Sequence, residues 1–325
     1  MKKWLLPAMI LGLVVPLAML SLAGRAWSPP APTVQEAESD TLSPTRERPG
    51  WDEQIHLTVL TDNGNLRQMG MRDYLIGVVL AEMPADFEAE ALKAQAVVAR
   101  TYTLKAAETG GKHGNGSVCT DHTCCQGYRE WKDYLEAGGS EESVEKIRRA
   151  VTDTADQVLV YDGELIDATY FSCSGGSTED AAAVWGRDVP YLQAVESPGE
   201  EEAPRYQVRI SYTPENFRKM TGVSGEGSPS GWFGVPVYTD GGGVETLEIC
   251  GTTFTGTELR SILGLRSTMF AITVEEGTIY VTTRGYGHRV GMSQYGAEAM
   301  AVSGSDYTEI LRHYYTGTAI RVMIP

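Results

Sequence analysis

Acid/base chemistry needs a carboxyl group kept short of water, and Glu82 is the one charge in Gly77-Val78-Val79-Leu80-Ala81-Glu82-Met83-Pro84. Poor solvation disfavours the charged form, so such a carboxyl keeps its proton nearer neutral pH. It can then give a proton to a leaving oxygen and take one back. A surface glutamate that happens to follow small residues would read the same way. The run Gly285-Tyr286-Gly287-His288-Arg289-Val290-Gly291-Met292-Ser293-Gln294-Tyr295-Gly296 is the second candidate. Its glycines permit unusual dihedrals or close backbone approach. His288 stands in the turn, with Gln294 and Tyr295 following at a helix start. A tight turn around a satisfied histidine would leave the same pattern. In Cys119-Thr120-Asp121-His122-Thr123-Cys124-Cys125, four metal ligands crowd into one short stretch. A structural zinc normally takes two separated ligand pairs, and no second Cys/His pair follows downstream. Part of a metal site, a disulfide and inert buried thiols all remain open. Cys173 and His288 could mimic a thiol dyad, but nothing local argues for an activated thiolate. Neither a Gly-x-Ser-x-Gly elbow nor a His-Glu-x-x-His pair is present. No strand–Gly-x-Gly-x-x-Gly–helix unit points to a dinucleotide.

These residues need elements to position them. His56 to Thr61 alternates like a strand, and Asp62-Asn63-Gly64-Asn65 reads as a hairpin turn. A helix is predicted over 72–83, with Leu75, Val78, Val79 and Glu82 on related turns and Pro84 as its stop. A second helix is predicted from near Asp86 to about Ala107, with Ala91, Gln95, Val98 and Tyr102 on one face. Residues 158–161 and 165–171 form a hairpin about Asp162-Gly163, feeding the small-residue loop 172–177. Residues 196–203 are acidic, contain Pro198 and read as an exposed loop. A short helix from Ser293, a helix capped by Asp306 and Glu309, and a strand alternating Ile320, Val322 and Ile324 close the chain. Helices and strands mix without a βαβ rhythm, so the fold class is α+β.

The 325 residues carry 27 Lys+Arg against 43 Asp+Glu, a net charge of −16. That balance opposes nucleic acid and charge-driven docking on anionic lipid. An anionic polymer would have to be held by local hydrogen bonds and stacking. The 16 Tyr and 6 Trp suit a wet, sugar-facing surface. Five cysteines, an odd and uneven set, do not make a disulfide framework. Lys2 and Lys3 precede an uncharged run over 4–24, followed by Arg25. Its length and flanks predict a single membrane span with residues 1–3 cytoplasmic and the body outside, a cleaved signal peptide being the alternative. Residues 25–50, with Pro29, Pro30, Pro32, Pro44 and Pro49, read as a solvated stalk, leaving 51–325 as the folded domain.

Taken together, the motifs resemble the SpoIID/LytB family. Tyr74 through Pro84, Phe87, and Glu90 through Tyr102 look like its signature. Ser174-Gly175-Gly176 with Thr178-Glu179, Val184-Trp185-Gly186, Leu263 through Ser267, and Gly287-His288 through Gly291 to Ala297 fit in the same order. The resemblance implies a lytic transglycosylase that cuts peptidoglycan glycan strands, preferably stripped of stem peptides, during engulfment in sporulation. It implies Glu82 as the catalytic residue, and a cell-wall amidase and a membrane protein of the engulfment complex as partners. Arg100, Tyr102, Ser174, His288, Gln294 and Tyr295 are the candidates for positioning sugar. The chemistry requires no cofactor. Some relatives hold zinc where this chain has Cys119 and Cys124, with Cys124 in a histidine's place, so a structural zinc on those two residues is one expectation and a metal-free or oxidised pair another. Arg289 replaces a glycine usual in the family and could narrow the cleft or add a charge for the glycan. LytB-like relatives resemble amidase enhancers, so a glycan-binding enhancer is the alternative. A metal-dependent hydrolase at the cysteine cluster is a further rival.

Overall fold

The computed structural model describes residues 50–113 and 118–324, together with the short strand Gln35–Glu36. The expected cytoplasmic tail, membrane span and most of the stalk lie outside the described residues. Among the described residues no helix is long and apolar enough to cross a membrane. Helices and strands are mixed, as the α+β class requires.

The main core forms around two helices. Met71–Glu82 buries Tyr74 through Leu80 without a break, and Ala89–Glu108 is buried on nearly all sides. A helix apolar all round has to lie inside the protein. Ala91, Gln95 and Val98 are buried and Tyr102 is half-buried, as their shared face requires. Against this pair packs Glu141–Asp153, which turns Val144, Ile147, Ala150 and Val151 inward and is capped by the Ser140 side chain. Gln157–Tyr161 also lies against the long helix. It is flanked by Ala319–Val322 on one side and Glu164–Leu165 on the other, and Gln35–Glu36 adds to the outer edge.

The expected 165–171 strand stops at Leu165. Tyr170–Phe171 instead pairs in parallel with Met292–Ser293, joining distant parts of the chain. Ser293 then caps the helix Gln294–Val302 by accepting from the Gly296 N–H.

A second hydrophobic cluster stands between residues 207 and 284. Gln207–Tyr212, Thr278–Arg284 and Phe270–Glu275 form an antiparallel sheet, with Thr278–Arg284 central. Tyr212, Phe217, Trp232, Ile249, Leu259, Phe270 and Val281 fill this smaller core.

Two expectations about charge are corrected. The 196–203 loop is anchored by a buried acid rather than wholly exposed, because Glu200 is 1% exposed. Its carboxylate accepts from the Ser174, Ser197 and Ser293 hydroxyls and from the Ser174 and Gly175 N–H groups. Those donors replace the water it gives up. Arg289, expected in the cleft, is fully buried and stands at φ 69°. It pairs with Glu179 at 2.9 Å and donates to the carbonyls of Ser174, Ser177 and Gly241. Glycine would adopt this positive φ without strain, in keeping with the glycine that the family resemblance implies here. Here one side chain ties the loop after Phe171 to the smaller core.

Candidate active site

Glu82 is the last residue of its helix. Pro84 cannot continue the helix and pushes the residue before it to extended backbone; Met83 stands at φ −122°, ψ 142°. The Glu82 carboxyl is half-buried, and its Oε1 accepts from the Gly127 N–H. Burial raises its pKa above the ordinary value. The Gly127 donor, the Tyr170 hydroxyl, the Gln294 amide and nearby His122 pull the other way without cancelling it. The negative end of the helix dipole acts in the same direction as burial. No second carboxylate is among these main influences on Glu82.

Gly127 reaches Glu82 because the 126–129 segment lies along the helix. The Arg129 N–H donates to the Gly77 carbonyl at 3.0 Å, and the Tyr128 ring stacks on Tyr74 at 5.8 Å. A Cβ on Gly77 would stand 2.1 Å from the Tyr128 ring, and one on Gly127 would stand 2.9 Å from Glu82 Oε1. The Tyr170 hydroxyl donates to Gln126 Oε1 at 3.2 Å as well as lying near Glu82. The parallel pairing of Tyr170–Phe171 with Met292–Ser293 brings Gln294 to the same carboxyl. Gln294 is 6% exposed, and its Nε2 has no partner of good geometry.

The other candidates scatter. His288 is half-buried, accepts from the Val290 N–H at 3.1 Å and packs against Phe171 and Trp185. Burial and then Arg260 push its pKa down to about 4, so it is neutral at physiological pH. Tyr295 packs edge-on against Phe87 at 5.1 Å and lines an open apolar groove of about 630 Å³ with Pro198, Ala203 and Ala299. Tyr102 lies under Lys112, whose Nζ is 5.9 Å from its ring centroid. Arg100 is withdrawn as a sugar contact. It is fully buried, its Nε donates to both Asp52 oxygens at 2.9 and 3.1 Å, and its other nitrogens donate to main-chain carbonyls. Ser174 is withdrawn for the same reason, since it is buried and its hydroxyl donates to Glu200 at 2.8 Å. Cys173 donates to Glu200 at 3.2 Å, and burial pushes its thiol up to about 12, the reverse of an activated nucleophile.

The cysteine cluster gains a ligand that sequence reasoning missed. His113, Cys119, Cys124 and Cys125 each offer an atom within 4.8 Å of the others. His113 Nε2 lies 3.6 Å from Cys124 Sγ and 3.7 Å from Cys125 Sγ. Three thiols and an imidazole converging on one point are a Cys₃His set, the donor chemistry of a closed tetrahedral zinc site. His122 is exposed and outside the group. All five cysteines are free thiols.

The body is α+β, and at the end of its Met71–Glu82 helix a half-buried carboxyl lies among the Gly127 N–H, the Tyr170 hydroxyl and the Gln294 amide. The family model described as Stage II sporulation protein (SpoIID) matches residues 61–161. Over 264 residues the sequence is 39% identical to Stage II sporulation protein D of Bacillus subtilis (strain 168), covering 80% of this chain and 77% of that protein. The corresponding protein of Bacillus amyloliquefaciens is 38% identical over 80% of this chain and 76% of its own. An Amidase enhancer of Bacillus subtilis (strain 168) is 30% identical over 76% of this chain but 40% of that longer protein. The chain belongs to the stage II sporulation protein D family.

Proposed function

We propose that this protein is a lytic transglycosylase that cleaves peptidoglycan glycan strands, preferably free of stem peptides, during engulfment in sporulation. The observation that carries the reading is Glu82, whose raised pKa comes from burial beside hydroxyl and amide donors with no second carboxylate among its main perturbers. Hydrolysing glycosidases usually work with two carboxyl groups, and a lytic transglycosylase needs one. Glu82 protonates the oxygen leaving muramic acid C1, and the C1–O bond breaks. The resulting carboxylate removes the proton from the 6-hydroxyl of the same muramic acid, whose oxygen closes on C1. Glu82 ends protonated, no water is consumed, and the product carries a 1,6-anhydro end. Held within the same sugar, the hydroxyl outcompetes water through high effective molarity. Gly127 and Gln294 steady and orient the carboxyl between its two tasks.

The N-terminal run would anchor the protein in the cell membrane with the domain outside. A cell-wall amidase that strips the stems and a membrane protein of the engulfment complex would be its partners. The amidase-enhancer relative favours a second reading, a glycan-binding protein that stimulates an amidase without cutting. Purified protein mixed with stem-free glycan and no amidase separates the two. Shortened strands support the enzyme, and uncut strands leave only the enhancer.

Because Glu82 must start protonated, kcat/KM is expected to fall as pH rises through its raised pKa. The alkaline limb should therefore stand above the 4.5 of an ordinary glutamate. A pH–rate profile checks this, and Glu82→Asp should shift that limb.

A structural zinc on His113, Cys119, Cys124 and Cys125 would fix the start of the segment that carries Gln126 and Gly127. Metal analysis should find about one zinc per chain, lost in Cys125→Ser. Chelation should lower the melting temperature, because metal bound only by the folded state is folding free energy. A metal-dependent hydrolase would instead keep its activity in Glu82→Gln.

A further inference from the structure

The Gly-rich segment also carries a group of cationic and aromatic side chains that the acid/base chemistry does not use. The Arg266 guanidinium carbon lies 3.9 Å from the Tyr286 ring centroid, and Tyr286 is 47% exposed. Trp185, 42% exposed, places its ring 5.5 Å from His288. Arg260 is close enough to act electrostatically on both Tyr286 and His288.

Neither arginine is matched by an acid among the described residues. Arg266 Nε is buried with no hydrogen-bond partner. Burial is the main influence on Arg260, and its one other perturber is the Tyr286 phenol rather than a carboxylate. A half-buried guanidinium without a counter-charge is costly, and an arriving anion relieves that cost. The planar guanidinium fork fits a carboxylate. The exposed Trp185 and Tyr286 rings offer apolar faces beside it. The cluster adjoins the strand that carries Tyr170. His288 packs on Phe171 at 5.6 Å, and the preceding Tyr170 presents its hydroxyl to Glu82. In a chain of net charge −16, such a local pair of cations is where an anionic group on a ligand can be held.

We propose that Arg260 and Arg266, flanked by Trp185 and Tyr286, bind the lactyl carboxylate of a muramic acid whose stem peptide has been removed. The proposal rests on the glycan-cleaving reading above and supplies the basis of its preference for stripped strands. In a stem-bearing strand the lactyl carbonyl is a neutral amide. Hydrolysis of that amide frees the peptide amine and leaves a carboxylate, the one new charge on the sugar. Two unpaired guanidiniums select that charge, which a stem-bearing strand lacks at this place.

Binding, measured by calorimetry on Glu82→Gln protein, keeps this test independent of turnover. Three glycans serve as probes: peptide-free strands, the same strands with lactyl carboxylates converted to methylamides, and strands bearing intact stems. Peptide-free strands are expected to bind about tenfold or more tightly than the methylamide, as a charge-assisted hydrogen bond implies. That margin should shrink with salt. Arg260→Gln and Arg266→Gln should each lose the margin while binding the methylamide unchanged, and Arg266→Lys should restore part of it. Equal binding of the carboxylate and methylamide strands overturns the proposal even before any arginine is changed. So does an equal loss on both probes in the arginine variants, which would make the cluster structural. Stem-bearing strands binding as tightly as stripped ones would place the recognised anion in the peptide and also overturn it. If wild-type protein fails to cut but the margin is present, the transglycosylase reading fails while this site stands.

Discussion

Glu82→Gln is expected to lower glycan cleavage by about 10²–10⁴-fold, the contribution of a positioned acid/base group. Glutamine keeps the size of the side chain and can still accept from the Gly127 N–H, so the folded structure and glycan binding should survive. Rates on stem-free glycan, beside circular dichroism and calorimetric binding, check all three. Stability carries a further signature. The folded state raises the Glu82 pKa, so it binds this proton more tightly than the unfolded chain does. That contribution to stability is present at low pH and is lost as pH rises through the folded pKa. At neutral pH and above, the variant should melt no lower than the wild type and should lack this part of the pH slope. A variant that cut at full rate would remove Glu82 from the mechanism.

Arg289→Met should produce the largest loss of stability. It leaves Glu179, 1% exposed, as a buried carboxylate with no cation beside it. Breaking one side of a buried pair typically costs about 3–5 kcal/mol, much of it the penalty on the partner left behind. The Ser174, Ser177 and Gly241 carbonyls lose their shared donor as well. Denaturant unfolding should show that loss. Adding Glu179→Gln should restore part of it, because the stranded charge is gone, and the non-additivity measures the pair. Activity should also fall, since Arg289 holds the loop and the Gly-rich segment in register near the site.

Much of the corner around Glu82 was legible because it is local. An isolated charge in an apolar run, followed by Met83-Pro84, states both where the helix ends and that its last carboxyl is poorly solvated. The capped helices at Ser293 and Asp306 were legible for the same reason, since a cap is a contact within a few residues. The partners of Glu82 were not. Gly127 acts through a backbone N–H, so its side chain advertises nothing, and it meets Glu82 only because Gly77 leaves room for Tyr128. Tyr170 depends on a parallel pairing with residues more than a hundred positions away. His113 was passed over because a single imidazole upstream of the cysteines makes no paired ligand pattern.

The misread charges share a cause. Arg100, Glu200 and Arg289 look in sequence like groups seeking solvent or ligand. Each is buried, and what compensates it comes largely from distant segments: Asp52 for Arg100, the Ser174 and Ser293 hydroxyls for Glu200, and Glu179 with three carbonyls for Arg289. Composition shows that a charge is present, and only the fold shows what neutralises it. The smaller core between 207 and 284 was equally quiet. Its strands face water on one side, and in Gln207–Tyr212 only the last residue is buried.

The mass of the new sugar end after wild-type protein cuts stem-free glycan tests most directly whether one carboxyl both lends and reclaims the proton. A muramic end lighter by one water than the reducing sugar, the 1,6-anhydro form, is the expected product. An end that has gained water, with ¹⁸O from the solvent at C1, would mean that a water molecule and not the 6-hydroxyl attacks, and would contradict it.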